Sequence, residues 1–168
     1  PQDLKEGRRY YKLSADQGFG ESQSSYSSMC YNGEGGPKDL KEGRKYCKLS
    51  ADQGLERDQF NYALMCDNAE GDRKDLKEAR KYYKLSADQE NADSQHNYAM
   101  MCYHGLGGRK DLKEARKYYK LSAIQGVIEA QSSYSYMCYY GKGGSEDLEE
   151  AFKYNKIVED KKSAENKS

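Results

Sequence analysis

The sequence predicts an all-α array of helix-turn-helix units with a 36-residue period. Three observations carry this. The tetrapeptide DLKE occurs at Asp3, Asp39, Asp75 and Asp111, and DLEE follows at Asp147, each 36 residues after the last. Cys30, Cys66, Cys102 and Cys138 keep the same step, as do Tyr26, Tyr62, Tyr98 and Tyr134. A fixed period of this size is the mark of stacked units, none of which buries its apolar face alone. Each unit also holds two helical patterns and a turn, which leaves no room for a strand.

The full units are expected at 19–54, 55–90, 91–126 and 127–162, all in one solenoid domain. Half a unit, the second helix of a truncated repeat, precedes them at 1–18, and a polar tail follows at 163–168.

The second helix of a unit is the clearer one. In DLKEARKYYKLSADQ, Asp75 is placed to accept from amides of the first turn, and Glu78 to reach back toward the cap as in a capping box. Leu76, Ala79, Tyr82, Tyr83 and Ser86 then form one stripe at helical spacing, with Lys77, Arg80, Lys81 and Lys84 mostly off it. Those bases read as a solvated face. Gly18, Gly54 and Gly126 are expected to end these helices in the left-handed conformation, and Glu90-Asn91 stands in their place once.

The first helix reads SQHNYAMMCYHG in one unit. Tyr98, Met101, Cys102 and Gly105 share a face, and the turn GLGG leads to the next capping Asp.

Composition limits the rest. Leu, Ile, Val and Phe number only 20 of 168 residues, a fraction seen in disordered chains. Disorder usually also needs a large net charge, and here 28 basic residues balance 28 acidic ones. The 17 tyrosines must therefore supply much of the core, and each buried hydroxyl needs water or a partner.

Five cysteines with no CxxC spacing favour reduced thiols and a cytoplasmic setting. No apolar run approaches the roughly 20 residues that span a bilayer, so membrane insertion is not expected. The chain opens Pro1-Gln2-Asp3, and further repeats or domains are expected beyond its ends.

These residues resemble the Sel-like repeat family, a relative of the tetratricopeptide repeat. The family pattern runs roughly A-Q-x-x-L-G-x-x-Y-x-x-G-x-G-V, then D-x-x-K-A-x-x-W-Y-x-K-A-A-x-x-G. The last unit offers AQSSYSYMCYYGKGG and DLEEAFKYNK against it, and the likeness covers nearly the whole chain. Tyr134 stands where Leu is usual, Ser135 where Gly is usual, and Ala69 replaces the first turn glycine of its unit.

The resemblance implies a right-handed α-solenoid that serves as a scaffold or adaptor for other proteins. A cysteine-rich bacterial branch with two bridged cysteines per unit, linked to penicillin binding, matches poorly, because most units here carry one.

Comparing the units with one another separates scaffold from surface. Gln23, Gln59, Gln95 and Gln131 are identical, whereas three positions at i, i+4 and i+8 of the first helix change from unit to unit. They are Ser24, Ser28 and Asn32; Phe60, Leu64 and Asn68; His96, Met100 and His104; and Ser132, Tyr136 and Tyr140. Tyr31, Asp67, Tyr103 and Tyr139 flank them.

Side chains at this spacing form one ridge. In related helical repeats that side lines a concave groove, an extended binding surface. The expected ligand is a peptide or protein, with Phe60, Leu64, Met100, Tyr136 and Tyr140 as apolar anchors.

Other chemistry is weaker. His96 and His104 are eight residues apart on one helix, about 12 Å along its axis, too far to share a metal unaided. The cysteine ladder spans stacked helices about 8–10 Å apart, too wide for thiolates at about 2.3 Å from one ion, so buried apolar thiols are expected and Cys47 reads as incidental. The turns GEGG, GLGG and GKGG lack the strand and the spacing of a phosphate loop. No catalytic constellation, metal site or cofactor is expected.

The rival reading is a helical repeat that reads single-stranded RNA. The zero net charge and interleaved acids argue against nucleic acid. A third reading makes the array the substrate-positioning module of a larger enzyme.

Overall fold

In the computed structural model, which describes residues 2–165, the chain forms nine helices and no strand among the described residues. They are α1 (Gln2–Asp16), α2 (Gly20–Asn32), α3 (Leu40–Asp52), α4 (Glu56–Asp67), α5 (Leu76–Ala87), α6 (Ala92–His104), α7 (Leu112–Ile124), α8 (Ile128–Tyr139) and α9 (Leu148–Glu165). They fall into two compact units, residues 1–86 and 87–168. In the first, α1 packs on α2, α2 on α3 and α3 on α4; in the second, α6 packs on α7, α7 on α8 and α8 on α9. Of the expected polar tail, residues 163–165 belong to α9, and 166–168 lie outside the described residues.

The DLKE aspartates are helix caps. Oδ1 of Asp39, Asp75, Asp111 and Asp147 accepts from the amides of Glu42, Glu78, Glu114 and Glu150 at 2.9–3.0 Å. The reciprocal half of the expected capping box does not form. The aspartate amides are already committed: those of Asp39, Asp75, Asp111 and Asp147 donate to the carbonyls of Cys30, Cys66, Cys102 and Cys138 at 2.8–3.0 Å. Each bond ties the start of the second helix to the first helix before the turn. An orphan donor is satisfied and the entry angle fixed at once.

The cysteines join a second repeated device. Arg44 is buried at 8% exposure; its guanidinium donates to the Glu70 carbonyl (3.1 Å), the Arg73 carbonyl (3.3 Å) and Cys66 Sγ (3.2 Å). Arg8 reaches the Pro37 carbonyl and Cys30 Sγ in the same way, and Arg116 the Ser145 carbonyl and Cys138 Sγ. These arginines therefore depart from the solvated face expected of the second-helix bases. They clamp the turn of the following repeat.

Those turns need glycine where backbones meet. A Cβ on Gly71 would lie 2.2 Å from the Leu40 carbonyl oxygen, and one on Gly143 would lie 2.0 Å from that of Leu112. Both residues also take positive φ, which a side chain disfavours. Ala69 (φ 60) and Glu90 (φ 70) hold left-handed backbone without being glycine.

Tyrosine fills the core. Tyr26–Tyr46, Tyr62–Tyr82, Tyr98–Tyr118 and Tyr134–Tyr154 meet edge to face, with ring centroids 4.7–5.2 Å apart. Such pairs add to the stabilisation that burial supplies. The identical glutamines finish the packing. Nε2 of Gln23, Gln59, Gln95 and Gln131 donates to the carbonyls of Ala15, Ala51, Ala87 and Ala123, near the end of the helix before.

Candidate functional site

The same first helices present two kinds of position. Met29, Met65, Met101 and Met137 are buried beside the repeated tyrosines and cysteines. The variable positions are not. Ser28, Asn32, Asn68, His104, Ser132, Tyr136, Tyr139 and Tyr140 are exposed; Ser24, Tyr31, Phe60, Leu64, Asp67, His96, Met100 and Tyr103 are half-buried.

In the first unit Ser24, Ser28, Tyr31, Leu64 and Asn68 line one cleft of about 710 Å³. Phe60 is not among its walls; its ring packs against Tyr83, with centroids 6.1 Å apart. Asn32 turns back to Ser28 and Glu34, and Asp67 pairs with Lys74 at 2.9 Å.

In the second unit Tyr103, His104, Ser132 and Tyr136 line a smaller pocket of about 300 Å³, to which Tyr119 and Met137 also contribute. Met100 and His96 lie outside it. The His96 ring packs on Tyr119 at 5.6 Å, and burial lowers its pKa against the pull of Glu129 and Asp93.

Tyr139 and Tyr140 form a ring cluster beside this pocket. Tyr140 stands 4.8 Å from Tyr136 and 4.9 Å from Tyr139, which in turn meets Phe152 at 6.4 Å. Exposures of 44% at Tyr136, 46% at Tyr139 and 57% at Tyr140 leave much of that aromatic area on the surface. Lys142 orders it. Its Nζ donates to the hydroxyls of Tyr103 (3.0 Å) and Tyr136 (2.8 Å) and sits 4.6 Å from the Tyr136 ring centre. The hydrogen bond from Lys142, followed by one involving Tyr103, draws the Tyr136 hydroxyl below the usual phenol range.

Sequence reasoning passes over four residues here. Cys47 is buried and lines the larger cleft, as do Asp58 and Arg57 of α4. Lys142 sits in the GKGG turn, whose local pattern gives no sign of its bonds to Tyr103 and Tyr136. The signal that finds Cys47 and Asp58 lies in the inner columns of the repeat. Cys47 stands between tyrosines at Tyr11 and Tyr83, and Asp58 interrupts a column of Ser and Ala.

All five cysteines are buried and free of disulfides. No group of three or more His, Cys, Asp or Glu among the described residues is arranged to hold a metal. No described helix is long and apolar enough to cross a membrane.

Comparison with known proteins bears on the fold. No curated protein gives a significant match. Among solved structures, a protective antigen of uropathogenic Escherichia coli strains displaying an SLR fold aligns with a TM-score of 0.85 and 26% identity, over 96% of this chain and 34% of its own. A Sel1 repeat protein from Oxalobacter formigenes aligns at 0.82 and 23% identity, over 93% of this chain and 64% of its own. The cysteine-rich protein B of Helicobacter pylori aligns at 0.55 and 20% identity, over 76% and 92%.

The chain thus spans about a third of the first of these proteins and under two thirds of the second. The fold they share with it is an all-α helical-repeat solenoid. The Sel1 repeat model matches residues 1–19, 20–55, 57–91, 92–127 and 128–154. With five such matches along its length, the chain belongs to the Sel1 repeat family.

Proposed function

We propose that this chain is a non-catalytic interaction scaffold that holds a peptide or protein segment on the ridges of its first helices. Sel1 repeats generally mediate protein interaction, and one observation extends that role to particular residues. The buried Gln, Tyr, Met and Cys positions of the first helices are the same in every unit, while the exposed and half-buried ridge positions differ. Packing alone does not demand that variety. Exposed, ordered tyrosine at Tyr136, Tyr139 and Tyr140 supplies the rigid amphipathic area that interface anchors favour. The five unpaired thiols suit a reducing compartment, and we assign the chain to the cytoplasm on that ground.

The test is a peptide-display selection on the intact chain. Affinities of the selected peptides are then measured on Phe60→Ala/Tyr136→Ala and on the second-helix control Lys77→Ala/Lys81→Ala. The ridge variant should bind at least tenfold more weakly with an unchanged circular dichroism spectrum, and the control should bind normally. Equal binding by the ridge variant would remove the assignment.

A further inference from the structure

The larger cleft lies beside Ser24, Cys47 and Asp58 of the first unit, where the residues differ from those of the two repeats that follow. Between flanking second helices with tyrosine at Tyr11 and Tyr83, and again at Tyr119, α3 carries Cys47; α9 carries Asn155. In the two repeats that follow, the tyrosine packs against an aromatic ring of the first helix: Tyr83 against Phe60, and Tyr119 against His96. The matching pair here is Cys47 and Ser24. Two rings have been replaced by two small side chains, and a cleft of about 710 Å³ stands beside them.

The third departure puts a charge there. Position 58 is Asp, where the other first helices have Ser22, Ser94 and Ala130. Asp58 lines the cleft yet is only 3% exposed. Its Oδ1 accepts from Ser24 Oγ at 3.0 Å, and its Oδ2 is buried with no hydrogen-bond partner. Burial raises its pKa, opposed by the Ser24 and Ser50 hydroxyls and by Arg57.

In its ionised form a buried carboxylate this short of partners is costly unless a cation completes it. Arg57, the basic lining residue, is exposed and makes no ion pair with Asp58 among the described residues. Glu34 and Glu70 add two more carboxylates to the walls, so the cleft is acidic in a chain with no net charge.

We propose that this cleft is a subsite for an arginine side chain of the bound peptide, with its guanidinium seated against Asp58. The subsite rests on the reading that the first helices hold a peptide, and it adds the chemistry of one anchor. Guanidinium suits the place better than ammonium. It is more weakly hydrated and presents several donors in one plane to the Asp58 carboxylate.

The probe is acetyl-arginine amide, titrated into the ¹⁵N-labelled intact chain, with acetyl-citrulline amide as its neutral isostere and acetyl-lysine amide for comparison. Saturable shifts are expected at the amides of Ser24, Asp58 and Asn61, with citrulline at least fivefold weaker and lysine weaker than arginine. Asp58→Ser, which borrows the residue of neighbouring repeats, should weaken arginine at least tenfold. Cys47→Tyr should close the cleft and abolish the shifts. Native-like spectra of both variants establish their folding, and Asp58→Asn serves if either fails.

Equal binding of citrulline, or wild-type binding by Asp58→Ser, overturns the subsite; lysine binding as tightly as arginine overturns the guanidinium assignment. Selected peptides that need Phe60 and Tyr136 but ignore Asp58 would leave the ridge standing and remove the subsite. Arginine binding at Asp58 by a chain whose selected peptides ignore Phe60 and Tyr136 would do the reverse.

Discussion

Tyr82 on α5 donates its phenolic hydrogen to Asp52 at the end of α3, and Lys48 Nζ donates to the same carboxylate at 2.7 Å. Tyr46 with Asp16 and Tyr118 with Asp88 repeat the bond. Three core tyrosines thus satisfy their hydroxyls by joining second helices one repeat apart. The pattern stops at Tyr154, because Ile124 stands where the aspartate would be.

Removing one such bond should cost a charge-assisted hydrogen bond, moderated by the partial exposure of Asp52. Tyr82→Phe is expected to lower stability by about 1–2 kcal/mol in urea denaturation, and Asp52→Asn by a similar amount. Because the two residues share one bond, the double variant should cost less than the sum of the singles. Tyr154→Phe should fall within about 0.5 kcal/mol of wild type. Burial opposes ionisation of Asp52, but the hydrogen bonds from Lys48 and Tyr82 outweigh it and hold the carboxyl below its usual range. That contribution is present at neutral pH and is lost as pH falls through the lowered value.

The turns give a prediction of opposite sign. Left-handed backbone costs an L-residue about 1–2 kcal/mol, and glycine gives back part of that difference through its entropy when unfolded. Ala69→Gly should therefore stabilise the chain by about 0.5–1 kcal/mol. Gly71→Ala, whose new Cβ meets the Leu40 carbonyl, should destabilise it by more than about 2 kcal/mol. Denaturation midpoints of the two variants moving the same way would contradict this geometry.

Asp58 and His96 bias stability in opposite pH ranges. Folding raises the pKa of Asp58, so its ionised form penalises the native state. The penalty is absent below the usual carboxylate range and grows as pH rises through it. Asp58→Ser should be more stable than wild type at pH 7, with the gain vanishing near pH 3.

Folding lowers the pKa of His96, so stability is lost as pH drops below the ordinary imidazole value. His96→Phe, which copies the Phe60–Tyr83 pair, should abolish that acid loss between about pH 6.5 and 5. Melting temperatures across this range give both readings.

The thiols supply a kinetic check. Burial raises the pKa of Cys47 and of Cys66, and every cysteine is closed to solvent. Ellman's reagent should find no thiol within minutes on the native chain and all five after unfolding. Rapid labelling of the native protein would show a looser core than the one described.

Much of this was legible in the sequence because the repeat restates each element several times. The capping aspartates, the helix pairs and the left-handed Gly18, Gly54 and Gly126 all follow from local pattern and spacing. What stayed hidden was long-range. No local rule says that the amide of Asp39 prefers the Cys30 carbonyl to a glutamate side chain, or that Arg44 lies buried under the next turn. The candidate site divided the same way. The ridge residues came from comparing units, but the cleft came from Cys47, whose importance lies in the ring it lacks. An absence of volume is visible only once the neighbours are placed.

The assignment of the first-helix ridges as the binding face is tested most directly by a hydrogen-exchange footprint of a display-selected peptide on the intact chain. Protection should appear on α2, α4, α6 and α8 and at the turn holding Lys142, with α3, α5 and α7 unchanged. Protection confined to those second helices would contradict the account.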